Sequence, residues 1–128
     1  GICSDYIQAQ DVNSHTIVEI HPQIIERLKL WAEDKDNVTI VEGDWISVEL
    51  GTYDGIFIDT YGGENWGKFK EFALAKAKSG ARVTYWNGRQ ADNDHEFDSI
   101  SYESVPIVPE ITNHLWDDNI YHLPKVIV

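Results

Sequence analysis

Tyr53-Asp54-Gly55-Ile56-Phe57-Ile58-Asp59-Thr60-Tyr61 carries the clearest strand pattern in the sequence. Gly55 to Ile58 form a short apolar run that closes on a carboxylate. A buried parallel strand has this form when it delivers one charged side chain to the edge of a sheet. Open α/β sheets bind ligands outside the carboxyl ends of their strands. Asp59 is therefore the first candidate functional side chain.

Upstream, Ile2 to Gln10 reads as the tail of a helix, with Ile2, Tyr6 and Ile7 on one side. Asp11 to Ser14 is a polar turn, and His15 to Ile20 is a strand rich in β-branched residues. Pro22 suits the first turn of a helix. Ile24, Ile25, Leu28 and Trp31 then recur at helical spacing to about Glu33. Asp34 to Asn37 is a charged loop. Val38 to Glu42 is the next strand, followed by Gly43-Asp44-Trp45 and a short helical turn.

Downstream of the opening stretch, Gly62, Gly63 and Asn65 mark a loop. Trp66 to Lys78 carries Phe69, Phe72, Ala73 and Lys76 at helical spacing, and Ser79-Gly80 stops the helix. Ala81 to Trp86 is a strand that ends in Asn87-Gly88. Strand and helix alternate up to this point, which predicts a parallel sheet covered by helices. Gln90 to Asp98 is an acidic loop. Ile100 to Val108 and Ile120 to Val128 are strand-like despite Pro106 and Pro124, and can pair as an antiparallel hairpin. No repeat, linker or low-complexity tract divides residues 1–128, so a single domain is expected.

The totals narrow the function classes. The chain has 128 residues and a formal net charge of −12. A surface so acidic repels phosphate backbones and anionic membranes, so neither nucleic acid nor a membrane is an expected partner. No apolar run reaches the length of a membrane span, and the N-terminal residues lack the pattern of a signal peptide. Cys3 is the single cysteine. An internal disulfide is therefore impossible, and a reduced, cytoplasmic setting is the expectation. There is no methionine, so the sequence is expected to be a processed, trimmed or partial product.

Several residue types could carry chemistry. Glu19 closes a strand at a position where nucleotide-binding α/β folds use a carboxylate to accept both ribose hydroxyls. The same residue also reads as a solvated strand-end acid. Asp44 and Trp45 could hold an adenine by hydrogen bonding and stacking, although taken alone Trp45 reads first as a core residue. Asp59, with Thr60 and Tyr61, could hold a cationic or amine group and accept its proton. A helix N-cap is the alternative for Asp59. The five histidines (His15, His21, His95, His114 and His122) show no metal-type spacing. Neither a Gly-x-Ser-x-Gly elbow nor a glycine-rich phosphate loop occurs.

Taken together, these stretches resemble one family. They are Ile17-Val18-Glu19-Ile20-His21-Pro22, Gly43-Asp44-Trp45, Tyr53 to Tyr61 and Thr84-Tyr85-Trp86-Asn87. They are similar to guanidinoacetate N-methyltransferase and its arginine N-methyltransferase relatives. Asp-Gly-Ile-x-x-Asp-Thr-Tyr is the most specific string. Ile120 to Val128 resembles the family's last strand, and the resemblance covers nearly the whole chain, most weakly from Gly88 to Ser99.

The resemblance implies a Rossmann-like class I S-adenosylmethionine-dependent methyltransferase fold, mainly parallel with a C-terminal antiparallel hairpin. It implies that Glu19 binds the cofactor ribose and that Gly43, Asp44 and Trp45 lie at the adenine. It implies that Asp59 neighbours the cofactor, holds the substrate guanidino group and helps to remove its proton. Thr60, Tyr61, Asn87 and Gly88 match substrate-gripping positions. The implied substrate is a small guanidino compound of the guanidinoacetate or arginine type.

The departures from the family are at the N-terminus and after Asn87. The family's first strand ends in a Glu-x-Gly-Phe-Gly-Met type loop that wraps the methionine part of the cofactor. Gly1-Ile2 match the residues just after that loop. The strand, the loop and a further acidic substrate ligand are not in this sequence. The helix before the final hairpin is missing or reduced to Ala91 to Phe97. These departures predict an N-terminally truncated sheet with impaired cofactor binding and catalysis. They also predict that the slot between the strands ending at Glu19 and Asp59 closes, or takes a strand from another copy in a homo-oligomer. Two function classes follow: an N-methyltransferase-like enzyme, and a non-catalytic binding or assembly module that keeps the scaffold. A different nucleotide-dependent α/β enzyme is a third, without a phosphate loop to support it.

Overall fold

The structure is a computed structural model that describes residues 2–59, 66–85, 101–106 and 120–128. Contacts divide it into two compact units, Gly1–Glu49 and Leu50–Val128.

In the first unit, helix α1 (Ile2–Gln8) leads into strand β1 (His15–Glu19), helix α2 (Pro22–Ala32) and strand β2 (Val38–Glu42). α1 ends two residues before the predicted Gln10. Turn bonds from Gln10 N to Ile7 O and from Asp11 N to Gln8 O replace helical ones. Asp11 takes a φ of 52°, a left-handed conformation that aspartate tolerates and that turns the chain out of the helix.

β1 and β2 form a two-stranded parallel sheet in continuous register, from His15 opposite Val38 to Glu19 opposite Glu42. The crossover between them is α2, as parallel strands require. α2 starts at Pro22, whose missing N–H costs nothing in a first turn. The His21 carbonyl accepts the N–H groups of Ile24 and Ile25, both at 3.0 Å. Ile25 and Leu28 are buried as the periodicity predicts. Ile24 is 45% exposed and Trp31 only half-buried, so the apolar stripe is narrower than the sequence suggests. Lys29 and Glu42 form an exposed ion pair between α2 and β2.

The second unit holds β3 (Tyr53–Ile58), α3 (Trp66–Lys76), β4 (Ala77–Tyr85), β5 (Ser101–Pro106) and β6 (Ile120–Ile127). Its four-stranded sheet has the order β3-β4-β6-β5. β3 and β4 are parallel, whereas β6 runs antiparallel to both β4 and β5. The predicted hairpin of the last two strands is thus present, in register from Ser101 opposite Lys125 to Pro106 opposite Ile120.

The boundary between α3 and β4 corrects the sequence reading. The helix stops at Lys76 and the strand begins at Ala77, four residues ahead of the predicted Ala81. Tyr53 pairs with Ala77 and Gly55 with Arg82, so β4 bulges between these pairs. Gly80 takes a φ of +81° within the bulge, a conformation glycine adopts without penalty. The C-terminal residue secures it: Gly80 N donates to Val128 O at 2.6 Å, and Val128 N to Ala81 O at 3.0 Å. Lys78 reaches back to Asp54 at 2.7 Å. Ile58, Ala73, Ala81 and Val83 form the buried apolar centre of this unit, with Val83 fully enclosed.

Among the described residues, no helix is long and apolar enough to cross a membrane. No group of three or more His, Cys, Asp or Glu side chains among them could hold a metal ion.

Candidate functional site

Glu19 is the last residue of β1, and the chain turns directly from it into α2. Its Oε1 accepts two backbone hydrogen bonds, from Ile20 N and His21 N, both at 2.8 Å. Two donors on one oxygen fix the carboxylate's position at the strand end. Oε2 takes part in neither bond. The side chain is half-exposed, so that oxygen belongs to a carboxylate that is both held and accessible. Ile20, beside it, is 65% exposed.

β2 delivers the second element. Gly43 N donates to Glu19 O at 2.8 Å, which extends the β1–β2 ladder by one bond into the loop. Gly43 adopts a φ of +147°, and a Cβ there would lie 2.6 Å from Cγ1 of Val48. Only glycine fits this corner without displacing its neighbour. Asp44 follows and caps the turn beyond it. Its carbonyl accepts Ser47 N at 2.8 Å and Val48 N at 3.0 Å, and its Oδ1 accepts Ile46 N at 3.1 Å. Asp44 is exposed, and Trp45 is half-buried rather than sealed into the core.

In the second unit, Asp59 is exposed and directly follows β3. Ile58 ahead of it is buried, so the alternation of the strand turns Asp59 outward from that apolar centre. β3 ends at Ile58, so Asp59 stands directly beyond the carboxyl end of the strand, where the apolar run ahead of it placed it. Thr60, Tyr61, Asn87 and Gly88 lie outside the described residues.

The first unit thus gathers Glu19, Gly43, Asp44 and Trp45 at the carboxyl ends of two adjacent parallel strands. Sequence reading missed how Glu19 is held. The Ile20 and His21 N–H groups are backbone, so no side-chain signal marks them. The only hint is Pro22, which biases His21 to the extended conformation seen there, with a φ of −82° and a ψ of 117°. The role of Val48 behind Gly43 had no local signal.

Comparison with known proteins places these features in a family context. A family model described as guanidinoacetate N-methyltransferase matches residues 1–91. Protein arginine N-methyltransferase 2 of Aspergillus oryzae is 31% identical over 110 residues, which cover 77% of this chain and 26% of that protein. The protein of the same name from Saccharomyces cerevisiae is 39% identical over 70 residues, covering 48% of this chain and 17% of that one. The chain therefore spans about a quarter or less of the length of these curated relatives. Among solved structures, the N-methyltransferase NodS from Bradyrhizobium japonicum, in complex with S-adenosyl-L-homocysteine, superposes with a TM-score of 0.65. The identity is 10%, over 89% of this chain and 66% of that one, so the likeness is one of fold.

Proposed function

The chain belongs to the guanidinoacetate N-methyltransferase family, with the Rossmann-like fold of class I methyltransferases, and from that membership we propose that it serves S-adenosylmethionine-dependent N-methylation of a guanidino group. The observation that carries this reading is Glu19, whose Oε1 is held by two backbone N–H groups at the end of a parallel strand. A vicinal diol donates two hydrogen bonds, and a carboxylate fixed at such a position is the acceptor that suits it. Asp44 adds an acceptor for an exocyclic amine, and Trp45 adds an aromatic face for a purine. The relatives' names, which specify arginine and guanidinoacetate, support the guanidino class of acceptor.

In this reading S-adenosylmethionine, when bound, supplies an electrophilic methyl group on a sulfonium centre. Glu19 would hold the ribose hydroxyls, and Asp44 and Trp45 would hold the adenine. Asp59 pairs with the guanidinium of the acceptor. A guanidinium has no lone pair to offer and does not lose its proton to water near neutrality. Asp59 takes that proton, so that the nitrogen attacks as a neutral nucleophile and the proton passes on to solvent. Orientation of the nitrogen by a two-pronged carboxylate contributes the rest.

The test uses calorimetric titration with S-adenosylhomocysteine and a methyl-transfer assay on guanidinoacetate, free arginine and an arginine peptide. Glu19→Gln is expected to weaken binding about tenfold or more. Asp59→Asn is expected to abolish turnover of the preferred acceptor. Unchanged binding in Glu19→Gln would overturn the ribose assignment. Binding without turnover on any of the three acceptors would overturn the enzymatic reading in favour of a non-catalytic module.

A further inference from the structure

α1 is attached to its unit in an unusual way. It has seven residues, too few for a helix that stands alone in water. From Cys3 to Gln8, every side chain is exposed or half-buried, and Tyr6 is 71% exposed. None of these six side chains is fully buried. Two polar bonds from one face of the helix, at i and i+3, reach the rest of the unit. Asp5 Oδ1 accepts the Trp31 indole N–H at 2.7 Å, and Gln8 Nε2 lies 3.1 Å from His15 Nδ1.

His15 is where the two attachments meet. It opens β1 and is 9% exposed, the one buried polar side chain among the described residues. Its ring stands edge-on to Trp31, with centroids 6.2 Å apart and planes at 84°. As the Gln8 amide is oriented, Nε2 donates to Nδ1, which requires a neutral imidazole with its proton on Nε2. We propose that His15, Gln8 and Trp31 form an acid-released latch that holds α1 on β1 and α2.

Protonation turns Nδ1 into a donor that faces another donor, so the Gln8 bond is lost unless its amide turns over. It also places a charge on a ring that is only 9% exposed. The charged groups around the cluster do not cancel this penalty. Asp5, on α1, is committed to the Trp31 indole. Lys35, on the loop after α2, lies 4.6 Å over the Trp31 ring and donates to Trp31 O at 2.6 Å and to Asp34 Oδ1 at 2.5 Å. It is thereby paired with the Asp34 carboxylate. Burial holds the imidazole's pKa below its ordinary value, so release falls on the acidic side of that value.

Amide hydrogen exchange on the 128-residue chain, followed by NMR between about pH 7.5 and pH 5, tests the latch. Protection factors of residues in the last turn of α1 and of the Trp31 indole are expected to fall about tenfold in acid, while those of β2 hold. Gln8→Glu puts a carboxylate opposite the imidazolium and is expected to keep α1 protected throughout. His15→Gln is expected to remove the pH dependence. An unchanged wild-type profile, or a Gln8→Glu profile that follows the wild type, would overturn the proposal. Gln8→Glu decides the matter even where His15→Gln fails to fold, because Gln8 is only half-buried on α1.

Discussion

The backbone N–H of Gly43 donates to the carbonyl of Glu19 over 2.8 Å, and so ties the end of β2 to the end of β1. This bond sets the loop that carries Asp44 and Trp45 against the strand that carries Glu19. The relation depends on a corner that only glycine enters freely, with a φ of +147°.

Gly43→Ala should therefore destabilise the first unit by about 1–3 kcal/mol, from backbone strain together with the contact on Val48. Val48→Ala in the same chain should recover only the steric part. Urea denaturation of the single and double variants measures both. A Gly43→Ala variant as stable as wild type would show that the corner relaxes without cost.

Glu19 has a structural and a proposed functional role, and two substitutions separate them. Glu19→Ala removes the acceptor for Ile20 N and His21 N and should cost about 1 kcal/mol of stability. Glu19→Gln keeps a carbonyl oxygen for those donors. It should melt close to wild type while losing affinity for S-adenosylhomocysteine. Parallel thermal melts and titrations check the split. Equal loss of stability in both variants would contradict it.

Acid should weaken global stability through His15. Burial depresses the folded-state pKa of this base, so the unfolded chain takes up a proton first as pH falls. Its contribution is fully present above the ordinary imidazole value of about 6.5. It declines through that value and levels off once the folded ring is protonated as well. Denaturation midpoints in wild type and His15→Gln, measured from pH 8 to pH 5, should converge at the acid end relative to their separation at the alkaline end.

In the second unit, burial should matter far more than charge pairing. Val83 is fully enclosed in β4, so Val83→Ala should cost about 2 kcal/mol. The Lys78–Asp54 pair has side chains 48% and 85% exposed, and Lys78→Ala should cost well under 1 kcal/mol. Chemical denaturation that found the two variants equal would mean that the bulge near Lys78 is held mainly by that ion pair.

Much of this arrangement was legible in local sequence. Val38 to Glu42 is a strand over the predicted residues, and Pro22 opens α2 as expected. Glu19 and Asp59 stand at strand ends, where their positions after apolar runs placed them. The misreadings have a common cause. Ser79-Gly80 reads locally as a helix stop, yet it lies inside β4, because Val128 bonds to Gly80 and Ala81 across the sheet. Ile24 fits the helical stripe and is nevertheless 45% exposed, because burial depends on what packs against α2 and not on spacing along it.

Local sequence sufficed for the order of elements, the parallel strands joined by helices and the acids at their ends. Periodicity, proline positions and apolar runs are properties of neighbouring residues, and no distant partner is needed to read them. Contacts made in the folded chain set which oxygen of Glu19 is engaged, why Gly43 must be glycine and where β4 begins. They also bury His15 beside Gln8 and Trp31. Each of these depends on groups that meet through folding, where a hydrogen bond or a steric contact is set by distance in space and leaves no pattern along the chain.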